Sequence, residues 1–255
     1  MNTWRAAYAL AERELVRFFR QPNRVIGAVG QPVIFWVLFG AAFRGSFAPP
    51  GGEETYAQFF LPGVAVMIVL FTAIFSTISI IEDRQEGFLQ GVLVAPVSRG
   101  AMVLGKVLGG SVLAVLQAAL FLMLAPFAGL ALTPATYLAA VGVLGLMAVA
   151  LTALGFCMAW RMDSTQGFHA LMSVFLFPMW LLSGSFFPAS GASPWLAWIL
   201  KINPLTYGVG ALRHALRMGS TPSLPWCLLV TALFALAMFG LAYRLAGRPA
   251  KGDLR

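Results

Sequence analysis

The chain has 255 residues, of which 60% are hydrophobic and only 10% are charged. An ordinary soluble domain is about 45–50% apolar and about 25% charged, so this composition excludes a disordered chain, a collagen, a disulfide scaffold and a typical cytosolic enzyme, and it indicates an integral membrane protein. The formal net charge of +8 is expected to mark one side of a bilayer, and no nucleic-acid partner is predicted.

The segment 1–22 predicts an amphipathic helix that lies in the membrane interface. Apolar side chains recur on one helical face, at Trp4, Tyr8, Ala11, Leu15, Phe18 and Phe19. Charged residues occupy the other side: Arg5, Glu12, Arg13, Arg17 and Arg20. We expect the apolar face in lipid and the arginines near anionic headgroups. The helix suits both a plain topology anchor and a lever that packs beside a cytoplasmic partner.

Six apolar stretches follow, each long enough to cross a bilayer core of about 30 Å, which takes about 20 helical residues. They cover residues 25–43, 59–81, 107–130, 135–160, 168–187 and 224–245. The expected fold is an all-α polytopic membrane protein with one transmembrane domain over residues 1–255. Inside the six stretches only Arg244, at the edge of the last, carries a permanent charge. Proton-driven transport is therefore not expected, and any energy source should lie in another chain.

The basic residues indicate which side faces the cytoplasm. With a cytoplasmic N-terminus, 13 of the 17 lysines and arginines fall in inner segments, and the outside holds Arg44, Lys201, Arg213 and Arg217. Cytoplasmic loops carry the excess of Lys and Arg in membrane proteins. We therefore expect a multi-pass protein of the cell (cytoplasmic or inner) membrane with both termini in the cytoplasm.

The segment 82–106, between the second and third spans, is predicted to lie at the cytoplasmic surface. Its first turns carry the charged residues Glu82, Asp83 and Glu86. Further along the segment, Pro96 interrupts the helical pattern. Residues 100–107 fit G-x-x-x-x-G-K, but Val107 stands where a phosphate loop needs Ser or Thr. We interpret Lys106 as a cationic anchor at the membrane entry of span 3, and a simple polar connector is the alternative for the segment.

The segment 188–221 is the longest one outside the membrane, yet it is apolar. A short helix is expected to start at Ser193-Pro194 and to carry Trp195 and Trp198. The chain then turns at Asn203-Pro204 into a second short helix. Such pieces are too short to span and suit re-entrant or interfacial helices, although an aromatic interfacial belt explains the two tryptophans equally well.

Neither a catalytic group nor a metal site is predicted. Ser183 and Ser185 lie about one membrane thickness from His169 along the same helix, whereas a nucleophile and its base must lie about 3 Å apart. His214 is the remaining candidate base on the same side. The sequence shows no His, Cys and Asp cluster at metal-ligand spacing.

The order of these motifs resembles the membrane subunit of type-2 ABC transporters, the ABC-2 permease family. The first part of the resemblance is an acidic–Arg–Glu–Gly segment, a Leu-rich turn, a Pro-x-Ser-Arg turn and a Gly-Lys pair, at Glu82, Arg84, Glu86, Gly87, Leu89, Leu93, Pro96, Arg99, Gly105 and Lys106. The second part covers residues 175–188 and 202–207. Together they extend over essentially the whole chain.

The resemblance implies that residues 82–106 form a coupling helix that docks into a groove on a separate ATP-hydrolysing subunit. The residues it assigns to ATPase coupling are Glu82, Asp83, Arg84, Glu86, Gly87, Pro96, Arg99 and Lys106. The interfacial helix, with Trp4, Arg13, Arg17 and Phe18, would pack nearby. The chain itself would need no cofactor, since ATP and Mg²⁺ would bind to the partner.

The family also implies an outer gate formed by the apolar region after span 5, at Phe187, Pro188, Trp195, Trp198, Asn203 and Pro204. The expected assembly has two ATPase subunits and two permease chains, as a homodimer or a heterodimer, in membrane lipid. A Met- and Phe-rich uncharged interior suits an amphipathic or lipid-like substrate, and the family exports drugs, antibiotics, lipid-linked saccharides and polysaccharides. The competing interpretations are a membrane scaffold or channel without an ATPase and, more remotely, an intramembrane enzyme.

Overall fold

The fold is built from α-helices, as described here from a computed structural model over residues 3–20, 22–44, 54–87, 98–188 and 193–247. In chain order the helices are α1 (Thr3–Phe19), α2 (Pro22–Ala42), α3 (Tyr56–Ser76), α4 (Ile78–Gln85), α5 (Arg99–Leu122), α6 (Pro134–Ala159), α7 (Thr165–Trp180), α8 (Pro194–Ile202), α9 (Pro204–Ala215) and α10 (Leu224–Ala246). None of the described residues forms a strand. The predicted all-α polytopic membrane fold is confirmed.

Polar caps set the starts of these apolar helices. The side chains of Thr55, Ser98, Thr133 and Ser164 each accept a hydrogen bond from a backbone N–H in the first turn of the helix that follows. Such caps satisfy donors that have no partner within the helix. The cap at Ser98 starts α5 at Arg99, eight residues before the predicted span, so Lys106 lies in the second turn of a continuous helix.

Among the residues that the structure describes, five helical stretches are long and apolar enough to cross a membrane. They are Tyr56–Gln85, which joins α3 and α4, and then Arg99–Leu122, Pro134–Ala159, Thr165–Ser185 and Leu224–Ala246. The stretch predicted as the first span coincides with α2, in which the apolar part Gly30–Ala42 is shorter than a membrane span. The predicted total of six spans therefore stays a prediction.

Helix α3 lies at the centre of the bundle. In the most apolar part of Tyr56–Gln85, 78% of the residues are buried inside the protein. The corresponding share is 33% for Thr165–Ser185 and 17% for Leu224–Ala246. Helix α3 packs against α2, α5, α6, α7 and α9. The large exposed apolar side chains of α7 and α10 are suited to lipid or to a neighbouring chain.

Candidate functional site

A buried lysine joins three helices at the end of the bundle that carries α1. The Lys106 ammonium of α5 donates hydrogen bonds to the carboxylates of Glu14 in α1 and Asp83 in α4, and to Ser79 Oγ at 3.1 Å. An ammonium has three N–H donors, so these partners use all of them. Lys106 is 5% exposed and Asp83 is fully buried. The interpretation of Lys106 as an anchor at the membrane entry is wrong, because its charge is neutralised inside the protein.

Two arginines of α1 complete this charge cluster, which consists of Arg13, Glu14, Arg17, Asp83 and Lys106. Arg13 makes a bidentate pair with the Asp83 carboxylate, with N···O distances of 2.8 and 3.1 Å. This hydrogen bonding raises the pKa of Arg13 above its ordinary value. Arg17 lies 3.5 Å from Asp83. The expectation that these two arginines face lipid headgroups is therefore corrected: they bind carboxylates of α4.

The acidic end of α4 offers a more exposed surface beside this cluster. Glu82 pairs with Arg17 at 2.9 Å, and its side chain is 32% exposed. The Glu86 side chain is 60% exposed and lies 3.8 Å from Arg17. Gly87 follows with φ +74°, a conformation that favours glycine. Pro96 lies outside the described residues.

Two predicted coupling residues, Arg84 and the exposed Arg99, bind backbone carbonyls of other parts of the chain. Arg84 donates to Trp160 O at 2.9 Å and to Met162 O at 3.1 Å, and it pairs with Asp163. Its guanidinium also lies over the Trp160 ring. Arg99 donates to the carbonyl of Gly247, at the end of α10. These arginines tie α4 to the end of α6, and α5 to α10.

Helix α1 lies on a glycine surface of α5. A methyl group at Gly105 would lie 2.8 Å from the carbonyl oxygen of Ala7, and one at Gly109 would lie 2.9 Å from Cβ of Glu14. The face of α1 that packs here carries Leu10 and Ala11 besides Ala7 and Glu14, whereas Trp4 and Tyr8 are each 70% exposed. The close approach is what allows Glu14 to reach Lys106.

We expect Gly105→Ala to lower the free energy of unfolding by about 1–3 kcal/mol, because the added methyl group pushes α1 away from α5. Gly142→Ala is the matched control, since nothing lies within 4 Å of its added methyl group. That change should be neutral or stabilising, because alanine favours helix over glycine by up to about 1 kcal/mol. Thermal unfolding of each variant is measured in detergent. A thiol-reactive dye reports unfolding, because the two buried cysteines react only when they become exposed. Equal midpoints for the two variants would contradict the close packing of α1.

An amphipathic cleft of about 610 Å³ opens next to the charge cluster. Its polar end is formed by ionised side chains, Glu14, Arg17 and Glu82. Its walls are apolar and come from α2, α3 and α7, at Phe35, Met67, Ile68, Phe71, Phe75 and Phe177. Thr72, Ser76 and Ser173 add hydroxyl groups along the walls. The cleft can hold a molecule that has one polar end and a large apolar body.

At the other end of the bundle, α7 stops being helical after Trp180. The break, Leu181–Ser185, is a π turn with non-helical dihedral angles at Leu182 and Gly184, where φ is +76°. Asn203 donates to Met179 O and Leu182 O at 2.6 and 2.7 Å. Arg213 donates to Gly184 O at 3.0 Å. Side chains from the following short helices thus bind the carbonyls that the break leaves free.

The predicted outer-gate residues divide into two groups here. Phe187 and Pro188 lie two and three residues after the break, Asn203 binds it, and Pro204 begins α9. Trp195 and Trp198 are instead largely exposed, at 65% and 67%. Arg213 was missed as a site residue, although an arginine in such an apolar segment is itself a signal.

The candidate catalytic serines have other partners. Ser183 donates to Trp180 O at 2.6 Å and lies 2.7 Å from the hydroxyl of Ser185. His214 Nε2 lies 2.9 Å from Pro222 O. Within the described ranges, no group of three His, Cys, Asp or Glu side chains is placed to hold a metal ion.

Comparison with known proteins agrees with this architecture. The sequence profile of the family described as ABC-2 type transporter matches residues 5–217. A protein named transport permease ycf38, from Cyanophora paradoxa, is 28% identical over 92% of this chain and 80% of its own length. Daunorubicin resistance ABC transporter permease protein DrrB1, from Streptomyces coeruleorubidus, is 27% identical over 79% of this chain and 71% of its own. A protein named multidrug ABC transporter permease YbhR, from Escherichia coli K12, is 25% identical over 73% and 51%.

Proposed function

This chain belongs to the ABC-2 type transporter family and is a membrane permease of an ABC transporter, and we propose that it exports an amphipathic or lipid-like substrate. A separate ATPase dimer would bind ATP and Mg²⁺ and supply the energy. Two permease chains, identical or related, would form the membrane part. The protein would lie in the cytoplasmic or inner membrane with both termini in the cytoplasm.

The cleft is the observation that carries the substrate class. Ionised side chains line one end of it and aromatic and methionine side chains line the rest, so a polar headgroup and an apolar body would each find matching surroundings. A bare ion would gain little from the apolar walls. The named role of one relative in daunorubicin resistance supports a drug-like amphiphile as the first compound to test.

The α1 end of the bundle is the proposed cytoplasmic face. It carries the charge cluster and Glu86, whose exposed carboxylate suits a subunit interface, where charges set partner choice and register. Because Lys106 and Asp83 are buried, their contribution would be to hold α1, α4 and α5 together as one block. Movement of a docked ATPase would then shift the charged wall of the cleft.

Reconstitution tests this function directly. The permease is co-expressed with an ABC ATPase subunit encoded beside it, co-purified under gentle extraction and placed in lipid vesicles. We expect the two proteins to associate, daunorubicin to stimulate ATP hydrolysis, and the drug to accumulate inside vesicles in which the ATPase faces outward. A permease that never binds an ATPase would favour the scaffold or channel interpretation, and accumulation in the reverse direction would contradict export.

Filling the cleft should reduce transport. We expect Ser173→Trp to lower the rate of daunorubicin transport about tenfold or more, because the indole occupies the volume that the substrate needs. Val174→Trp is the matched control: it adds the same ring one residue further along α7, at a side chain that is 75% exposed. Basal ATP hydrolysis should survive in both variants. Unchanged transport in Ser173→Trp would remove the cleft as the substrate site.

A further inference from the structure

The break in α7 depends on side chains that lie far from it in the sequence. An interrupted helix leaves carbonyl groups without partners, and in an apolar environment such groups must be satisfied by other parts of the protein. Here, besides Asn203 and Arg213, Ser183 binds the Trp180 carbonyl and Tyr56 donates to Phe186 O at 3.1 Å. The non-helical conformation is therefore maintained by its partners.

Asn203 is held in the orientation that this task requires. Its side-chain oxygen accepts from Leu205 N at 3.0 Å and so caps the start of α9. Its amide nitrogen is then directed at Met179 O and Leu182 O. Asn203 is 8% exposed, so water does not compete for these bonds. One residue thereby connects the first turn of α9 with the end of α7 and with the break itself.

Arg213 adds a second connection between α9 and the break. It lies in the last turn of α9, about 15 Å along the helix axis from Asn203. Its guanidinium lies over the Phe59 ring, 4.2 Å from the centroid, and donates to Gly184 O. Burial lowers the pKa of Arg213 to about 10, so the group remains charged at neutral pH. A charged donor makes a stronger hydrogen bond to a carbonyl than a neutral one.

The residue that directly follows the break is the centre of an aromatic cluster. The Phe186 ring lies 5.2 Å from that of Phe39, 5.6 Å from Phe60 and 6.3 Å from Trp180, measured between centroids. Trp180 is fixed in turn by donation from Nε1 to Gly63 O at 2.7 Å. Because Phe186 is joined directly to the break, we expect a change in the conformation of the break to shift Phe186 within this cluster.

We propose that Asn203 and Arg213 are positioning residues that hold the α7 break, and with it Phe186, in the closed position of the outer gate. Opening then requires α9 to withdraw its donors from the carbonyls of α7. Helix α9 is suited to receive such a movement, because Gly208 packs directly on Met147 of α6, and the far end of α6 is bound by Arg84 of α4. The gating role rests on the proposed transport function, whereas the contacts that hold the break do not.

The test measures access to the break from outside. The two native cysteines, Cys157 and Cys227, are first replaced by alanine. Ser185→Cys then introduces a reporter thiol at a fully buried position of the break. Its labelling by a membrane-impermeant maleimide is followed in intact cells. Asn203→Asp keeps the oxygen that caps α9 and removes the donor to both carbonyls. We expect labelling to become about tenfold faster, since two buried hydrogen bonds are lost.

Ser223→Asp is the matched control, because it places a new carboxylate at the N-cap of α10, away from the break, and should leave labelling unchanged. Asn203→Ser, which keeps a capping oxygen but cannot reach both carbonyls, replaces Asn203→Asp if that variant does not fold. Arg213→Met should also accelerate labelling, and Arg213→Lys should do so less. Slow labelling in folded Asn203 variants overturns the proposal. The assay needs neither ATPase nor substrate, so its failure is separate from a failure of the transport experiment.

Discussion

Lys106→Met should lower the free energy of unfolding by about 3–5 kcal/mol and abolish ATP-dependent transport, since removing one partner of a buried ion pair leaves an uncompensated charge. Asp83 would keep its bidentate pair with Arg13. Glu14, which is 6% exposed, would lose its hydrogen-bonded cation and retain Arg13 at 3.7 Å. Thermal unfolding in detergent and drug transport in vesicles measure the two effects.

A second substitution separates the charge from the packing. Adding Glu14→Gln to Lys106→Met removes the uncompensated carboxylate and should restore part of the lost stability. Lys201→Met is the control for side-chain chemistry, because it makes the same change at an exposed position of α8. If Lys106→Met were as stable as Lys201→Met, the charge cluster would have no role in holding α1, α4 and α5 together.

Glu86→Arg should uncouple ATP hydrolysis from transport while the permease remains folded. The Glu86 side chain is 60% exposed, so the chain tolerates the reversal, but a like charge placed against a complementary partner surface weakens docking. We expect reduced co-purification of the ATPase, loss of substrate-stimulated hydrolysis and an unchanged unfolding midpoint. Pull-down from detergent and ATPase assays in lipid measure these outcomes.

Lys201→Glu provides the comparison for Glu86→Arg. It also reverses an exposed charge, but it does so on α8, at the end of the bundle opposite to α1 in the proposed orientation. Docking and hydrolysis should be unaffected there. A fully active transporter carrying Glu86→Arg would remove Glu86 from the proposed ATPase interface.

The sequence predicted the helical extent of the N-terminal segment closely but not its packing. The apolar repeat that runs from Trp4 through Phe19 matches α1, Thr3–Phe19. The residues of α1 that meet the glycines of α5 are Ala7, Leu10, Ala11 and Glu14, and only Ala11 belongs to the predicted apolar face. Apolar periodicity shows which side chains avoid water, but in a membrane they can do so in lipid as well as in protein. Apart from Ala11, the periodicity therefore did not identify the residues that pack on α5.

The candidate coupling residues show the same limit. Glu86 lies at the surface, as docking requires, whereas Asp83, Arg84 and Lys106 make internal contacts. All of them are polar residues in one segment, so composition could not separate those that bind a partner from those that bind the chain itself. Only the placement of α1 and α6 beside α4 distinguishes them.

The sequence by itself determined the class of protein, the main helices and many of their ends, because hydropathy over about 20 residues and a single capping side chain act locally. The tertiary structure decided where the charges go. Lys106 meets Glu14 across 92 positions, and Arg84 reaches Trp160 O across 76. Such pairs exist only after the helices have packed, since a buried charge takes the partner that the fold brings within hydrogen-bonding distance.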